Sequence, residues 1–151
     1  MIEVRALDES DILYLVRGLE EFEKDKAIKT GLRAAVNVFK VKGRGNLKNR
    51  LKHHGRGTGH LMNSFTSRVK KNKLGALSGF ERPGGNHAHL VDMGTKRRVT
   101  KGKGKFKSGV NRGVMPANYF WKDAKNSEES KAINKCYEGV RMAVQRINER
   151  R

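Results

Sequence analysis

Met115-Pro116-Ala117-Asn118-Tyr119-Phe120, with Trp121 immediately after, is the stretch on which the fold turns. Proline fixes its own φ and donates no hydrogen bond, so Pro116 sets an extended approach. Three aromatic side chains then arrive together, the largest apolar mass in the chain. Rings delivered in this way belong at the entry of a helix, so Phe120 and Trp121 are expected to anchor the C-terminal helix against a sheet. Downstream, Ser127 with Glu128 and Glu129 reads as the start of that helix. Ile133, Cys136 with Tyr137, Val140, Val144 and Ile147 follow at steps of three and four, one apolar stripe running to the C-terminus.

Upstream of Met115 the composition changes abruptly. Residues 95–113 carry Lys96, Arg97, Arg98, Lys101, Lys103, Lys105, Lys107 and Arg112, four glycines and no acid. Such a stretch cannot bury enough apolar surface to order itself, so 95–114 is expected to be a flexible basic loop. A loop of that length inside a compact domain is a functional candidate. Before it, His89-Leu90-Val91-Asp92-Met93-Gly94-Thr95 is a short apolar element stopped by Gly94, with one carboxylate two residues earlier. Residues 87–93 read as a third strand or a short helix, and Gly94 suits a positive φ.

Two strands are expected at 61–71 and 74–82, joined at Lys71-Asn72-Lys73, with Pro83-Gly84-Gly85-Asn86 as the turn that follows. Thr58-Gly59-His60-Leu61-Met62-Asn63-Ser64 reads as a turn that opens the first of them, after a glycine-rich loop. Nearer the N-terminus, Ser10 can cap a helix whose stripe is Ile12, Leu15, Val16, Leu19 and Phe22. Ile28, Leu32, Ala35, Val36, Phe39, Leu47 and Leu51 repeat the pattern, so two helices or one broken helix are expected. Gly43 and Gly45 are costly inside a helix and predict a kink or an early end. The class is therefore α+β: long N- and C-terminal helices packed on a small antiparallel sheet, with a long basic loop, in one domain over 1–151.

Hydrophobic residues make up 36% of the 151-residue chain, which predicts a small core and a share of stability from assembly. No apolar run approaches the roughly 18 to 20 residues that span a bilayer, so no membrane partner is expected. Met1-Ile2-Glu3-Val4-Arg5 does not read as a secretory signal. Cys136 is the single cysteine, so no internal disulfide is expected, and its place in an apolar stripe suits a small buried hydrophobe.

The net charge of +19 is concentrated in the middle. Residues 40–112 hold 20 Lys or Arg against two acids, Glu81 and Asp92, a balance of +18. The flanks carry −2 before it and +3 after it. A polycation with so little internal neutralisation seeks phosphates or an acidic protein surface.

Catalytic inventories fail. His53 and His54 are adjacent, and His60, His87, His89 and Cys136 follow no zinc spacing. The basic half lacks the clustered carboxylates of a metal-dependent nuclease. Gly55-Arg56-Gly57-Thr58-Gly59 lacks the Lys-Ser or Lys-Thr that completes a phosphate-cradling loop. No catalytic residue, metal site or cofactor is expected, and Asp92 reads as a salt-bridge partner within or between subunits.

Three blocks remain, in fixed order: Thr58, Gly59, Leu61 and Ser64; then Val91, Asp92, Gly94 and Thr95; then Pro116, Ala117 and Phe120. Their order and spacing resemble the "gene product ten"-like neck and tail-completion family of long-tailed bacteriophages. The resemblance runs from about residue 31 to residue 124. Asp92 stands where a glutamate is usual, and Tyr119-Phe120-Trp121 replaces a second proline and leucine. The resemblance implies a structural virion protein, made in the host cytoplasm and placed where head meets tail. It implies a homo-oligomeric ring, hexamer or dodecamer, around the DNA channel. Neighbours would be a head-closure or adaptor protein and a tail-terminator or tail-tube protein. The basic loop would then meet channel DNA non-specifically, or an acidic surface of an adjoining ring. The alternative is a free basic nucleic-acid-binding protein of ribosome- or nucleoid-associated type; the absence of an aromatic stacking platform among the strands weighs against it.

Overall fold

The periodic segments do become helices, but they meet a sheet whose first strand comes from the very start of the chain. The structure, a computed structural model, describes residues 1–5, 10–51, 58–102 and 109–151. Among these the order is β1 (Ile2–Arg5), α1 (Ser10–Leu15), α2 (Glu21–Arg50), α3 (Thr58–Asn63), β2 (Phe65–Val69), β3 (Gly75–Phe80), α4 (Ala88–Met93) and α5 (Phe120–Asn148). The fold is α+β, with α2 and α5 packed together over one face of an antiparallel sheet of order β1-β3-β2.

The register explains which face is covered. Ile2 lies opposite Ser78 and Val4 opposite Ala76, while Phe65, Ser67 and Val69 face Phe80, Ser78 and Ala76 from the other side. Strand side chains alternate, so these form one face, which the helices cover. Ile2, Phe65, Ala76 and Ser78 are buried there. The opposite face carries Glu3, Arg5, Thr66 and Arg68. There Glu3 accepts from Arg5 Nε at 2.8 Å and pairs with Lys70, and Glu81 pairs with Arg68. The Arg5 guanidinium, followed by the Lys70 ammonium, holds the exposed Glu3 carboxyl down at about 2. Arg68 and the Thr66 hydroxyl hold Glu81 below the usual carboxylate range.

Several sequence expectations are corrected. Of the two readings of residues 87–93 the short helix is the one found, α4 ending at Gly94, and the third strand is β1. Residues 58–63 are helical, so the first of the two mid-chain strands begins at Phe65, four residues later than the expected Leu61. Phe22 does not join the stripe of Ile12 and Val16; it is 77% exposed. Gly18, at φ 86°, turns the chain after α1. A capping box between Glu20 and Glu23 then restarts the helix in a new phase. Ile133 is half exposed rather than core, because the buried stripe of α5 runs through Ala124, Glu128, Ala132, Cys136 and Val140, one residue out of phase with it.

Helix α2 runs unbroken through Gly43 and Gly45. Two helical glycines cost roughly 2 kcal/mol relative to alanine, and tertiary packing accounts for the first of them. A Cβ at Gly43 would lie 2.4 Å from the Trp121 ring, so the missing side chain makes room for the indole. Farther along the seam a Cβ at Gly139 would lie 2.9 Å from Gly31 Cα, and one at Gly31 would lie 2.5 Å from the Cys136 carbonyl oxygen. These glycines let the α2 and α5 backbones come close enough to bury Leu32, Val36 and Val140 between them. Cys136 lies in the same seam, and burial pushes its thiol up.

Candidate functional site

The second and third sequence blocks meet at the start of α5, and the first leads into Phe65, whose ring packs there. Helix starts leave N–H groups without intrahelical partners, and here the partner comes from 29 residues upstream. Asp92 Oδ1 accepts from the Trp121 N–H at 2.7 Å and from the Lys122 N–H at 3.3 Å. Its carbonyl accepts the Tyr119 N–H at 2.9 Å, and the Val91 carbonyl accepts the Asn118 N–H at 3.0 Å. Asp92 is buried at 8% exposure and forms no ion pair among the described residues. Within the chain the expected salt bridge is therefore replaced by an N-terminal cap, which also explains why α5 starts at Phe120 rather than after Ser127. Glu128, expected in an exposed first turn, is instead buried and faces Lys42 at 3.4 Å.

Gly94 has φ 75°, and a Cβ there would lie 2.8 Å from both the Ala117 nitrogen and the Met115 carbonyl oxygen. A side chain is thus excluded twice, by conformation and by space. Thr95 closes the joint: its N–H donates to the Met115 carbonyl at 2.9 Å, and its Oγ1 accepts the Met115 N–H at 3.0 Å. Pro116 is exposed and Ala117 half-buried at the crossing, while Phe120 is fully buried.

Phe120 and Trp121 enter an edge-to-face cluster with Phe65 and Phe80. Phe65 lies 6.0 Å from Phe120 and 5.9 Å from Trp121, and Phe80 lies 5.8 Å and 5.0 Å from the same rings. The first block supports Phe65 from behind. Leu61 is buried, and the Ser64 hydroxyl donates to the Leu61 carbonyl at 2.8 Å. The Ser64 carbonyl in turn accepts the Glu81 N–H at 2.7 Å. Thr58 and Gly59 begin α3. From the far end of α2, Asn46 donates to the Phe120 carbonyl at 3.0 Å. Arg50 donates to the Asn118 carbonyl at 2.9 Å and to Asp123 at 2.7 Å.

The basic segment rises from this joint as a two-stranded ribbon. Thr100 N–H donates to the Val110 carbonyl at 3.0 Å, and Arg112 N–H donates to the Arg98 carbonyl at 2.8 Å. These flank an antiparallel bridge between Val99 and Asn111. Backbone pairing thus extends from Thr95·Met115 to Gly109, whose N–H donates to the Thr100 carbonyl at 2.8 Å. The sequence reading missed this ladder; the signal for it was Val99-Thr100 on one side and Val110 on the other, β-branched residues flanking glycines. Lys96, Arg97, Arg98, Lys101 and Arg112 are exposed on it. Lys103, Lys105 and Lys107 lie outside the described residues.

Among the described residues no three His, Cys, Asp or Glu side chains come together in a metal-holding group. Among them, too, no helix is long and apolar enough to cross a membrane. Comparison with family models, with curated proteins and with solved structures finds no match to this chain.

Proposed function

We propose that this chain is a structural protein of the neck of a long-tailed bacteriophage, one subunit of a homo-oligomeric ring joining the DNA-filled head to the tail. The observation that carries the reading is the convergence of the second and third family-like blocks, with the residue that follows the first packed on them. Val91, Asp92, Gly94 and Thr95 make one hydrogen-bonded joint with residues 115–122, and the strand that follows Ser64 packs its first ring, Phe65, on that joint. Residues far apart in sequence would form one structural unit if the order of blocks reflects a shared architecture.

Assembly is supported by what the subunit leaves open. β1 and β2 are the edges of the sheet, and edges are where strands of another copy add. Leu13, Tyr14, Phe22 and Met142 are large apolar side chains between 46% and 77% exposed. Tyr14 and Met142 line one depression between α1 and α5. The chain on this reading binds and assembles rather than catalyses, beside head-closure or adaptor proteins and tail-terminator or tail-tube proteins in the virion.

Size-exclusion chromatography with light scattering tests it. A discrete hexamer or dodecamer, or an oligomer that grows with concentration, is expected; a monomer at every concentration overturns the ring. The unneutralised ribbon favours a second reading, a free nucleic-acid-binding protein, which the same experiment separates as a monomer that elutes with nucleic acid.

A further inference from the structure

We infer that the ribbon formed by residues 95–101 and 109–115 is a docking element for the phosphate backbone of double-stranded DNA. The inference does not rest on the neck reading, since it uses only the ribbon and the charges around it. Around the sheet and the start of α5 several cations have acidic partners: Arg5 and Lys70 share Glu3, Arg68 holds Glu81, and Arg50 holds Asp123. On the ribbon, Lys96, Arg97, Arg98, Lys101 and Arg112 are exposed and form no ion pair among the described residues. The only two acids of residues 40–112 are already engaged, Glu81 by Arg68 and Asp92 by the start of α5.

The ladder makes the charge directional. The Val99·Asn111 bridge puts Arg98 opposite Arg112 on the neighbouring strand. Opposed residues hold their Cβ atoms about 5 Å apart, and like charges so placed repel. An anion between the two guanidinium groups removes that repulsion and accepts forked hydrogen bonds from both. Alternation places Arg97 and Lys101 on one face of the ribbon, with Lys96 and Arg98 on the other. Cations on both faces suit an element flanked by anions on two sides rather than one laid on a flat acidic surface. The DNA major groove admits a two-stranded ribbon and is walled by phosphates on each side. The Thr95·Met115 clamp fixes the ribbon to the α5 joint, so little ordering remains for binding to impose.

The test is fluorescence anisotropy of a labelled mixed-sequence DNA duplex titrated with the full chain between about 50 and 200 mM salt. The variant Arg98→Ser with Arg112→Ser should weaken binding at the lowest salt at least about tenfold. It should also reduce the slope of log affinity against log salt by about 2, near one for each phosphate no longer neutralised. Arg141→Ser with Arg146→Ser removes the same charge from α5 and should leave the slope where it was. Melting temperature, followed in parallel, should not move in either variant. Wild-type affinity and slope in the ribbon variant overturn the inference. So does a wild-type chain that ignores the duplex and binds polyglutamate, which would make an acidic protein the partner. Equal affinity for the single strand of the same sequence overturns the groove geometry. Failure here leaves the ring test untouched, because oligomer mass is read without DNA.

Discussion

In the α2–α5 seam Gly31 lies against Gly139, whereas on the ribbon Arg98 stands opposite Arg112, and the two pairings contrast a contact closed within the chain with a charge pair left open to solvent. The seam is specified from within: backbones touch because side chains are missing, and neighbouring apolar groups fill what is left. Its interactions are complete inside one subunit. The ribbon is specified only by its backbone, and its charges are complete only with something added. Substitutions in the seam should therefore change melting with little direct effect on binding, and substitutions on the ribbon should do the reverse.

The hardest test of that separation is Phe120→Ala. Removing a fully buried ring from the aromatic cluster should cost about 3 to 5 kcal/mol. For a domain of this size that is a fall of about 10 °C or more, read by circular dichroism. An unchanged melt would show that α5 is held by something other than the cluster. Gly31→Val comes next. Its Cβ would meet the Cys136 carbonyl and Val140, so the helices must separate, at about 3 kcal/mol. Gly45→Ala in the same helix has nothing within 4 Å and should instead stabilise by about 0.5 to 1 kcal/mol. If both glycines respond alike, close approach is not what the seam selects.

Asp92→Ala should cost about 1 to 2 kcal/mol by uncapping α5, while Asp92→Asn keeps an accepting oxygen and should cost less. Equal losses in chemical denaturation would mean that the negative charge, not the hydrogen bond, matters at this joint. Glu3 supplies a smaller, pH-dependent contrast. Its folded carboxyl is depressed from an ordinary 4.5 to about 2. Its contribution is therefore complete above pH 4.5 and is lost as the pH falls toward 2. Glu3→Gln should lower the melting temperature slightly near neutrality, and the difference from the parent should vanish as the pH falls toward 2, leaving a flatter decline across that window. Smallest of all, Arg98→Ser with Arg112→Ser should stay within about 0.5 kcal/mol of the parent. A clear destabilisation there would erase the distinction between seam and ribbon.

The parts legible from sequence are those set by local periodicity. Leu32, Val36 and Phe39 mark the buried face of α2, and Cys136 and Val140 that of α5, because a helix repeats its own pattern. What was illegible depends on distant partners. Ile2–Arg5 is a strand only because β3 pairs with it from 70 to 76 residues away. The start of α5 is decided by Asp92, which no signal near Ser127 reveals. Gly43 reads as a helix breaker until Trp121 is seen against it. In the candidate site the cations were plain from composition, but composition concealed the Val99, Thr100 and Val110 ladder that orients them.

The topology also sets a timetable for synthesis. α2 is complete when the ribosome reaches residue 50, yet Val140, which lies against Gly31 across the seam, is added 90 residues later. At roughly 5 to 20 residues per second that interval is about 5 to 18 s. Throughout it the apolar stripe of α2 lacks the complete helix that covers it, with β1 already made and α3, β2, β3, α4 and the first turns of α5 arriving in the meantime. A nascent chain held open that long offers a hydrophobic strip to chaperones or to other nascent copies from the same message. Yield of the native protein should then depend on translation speed over residues 51–140, a property of the gene as much as of the fold.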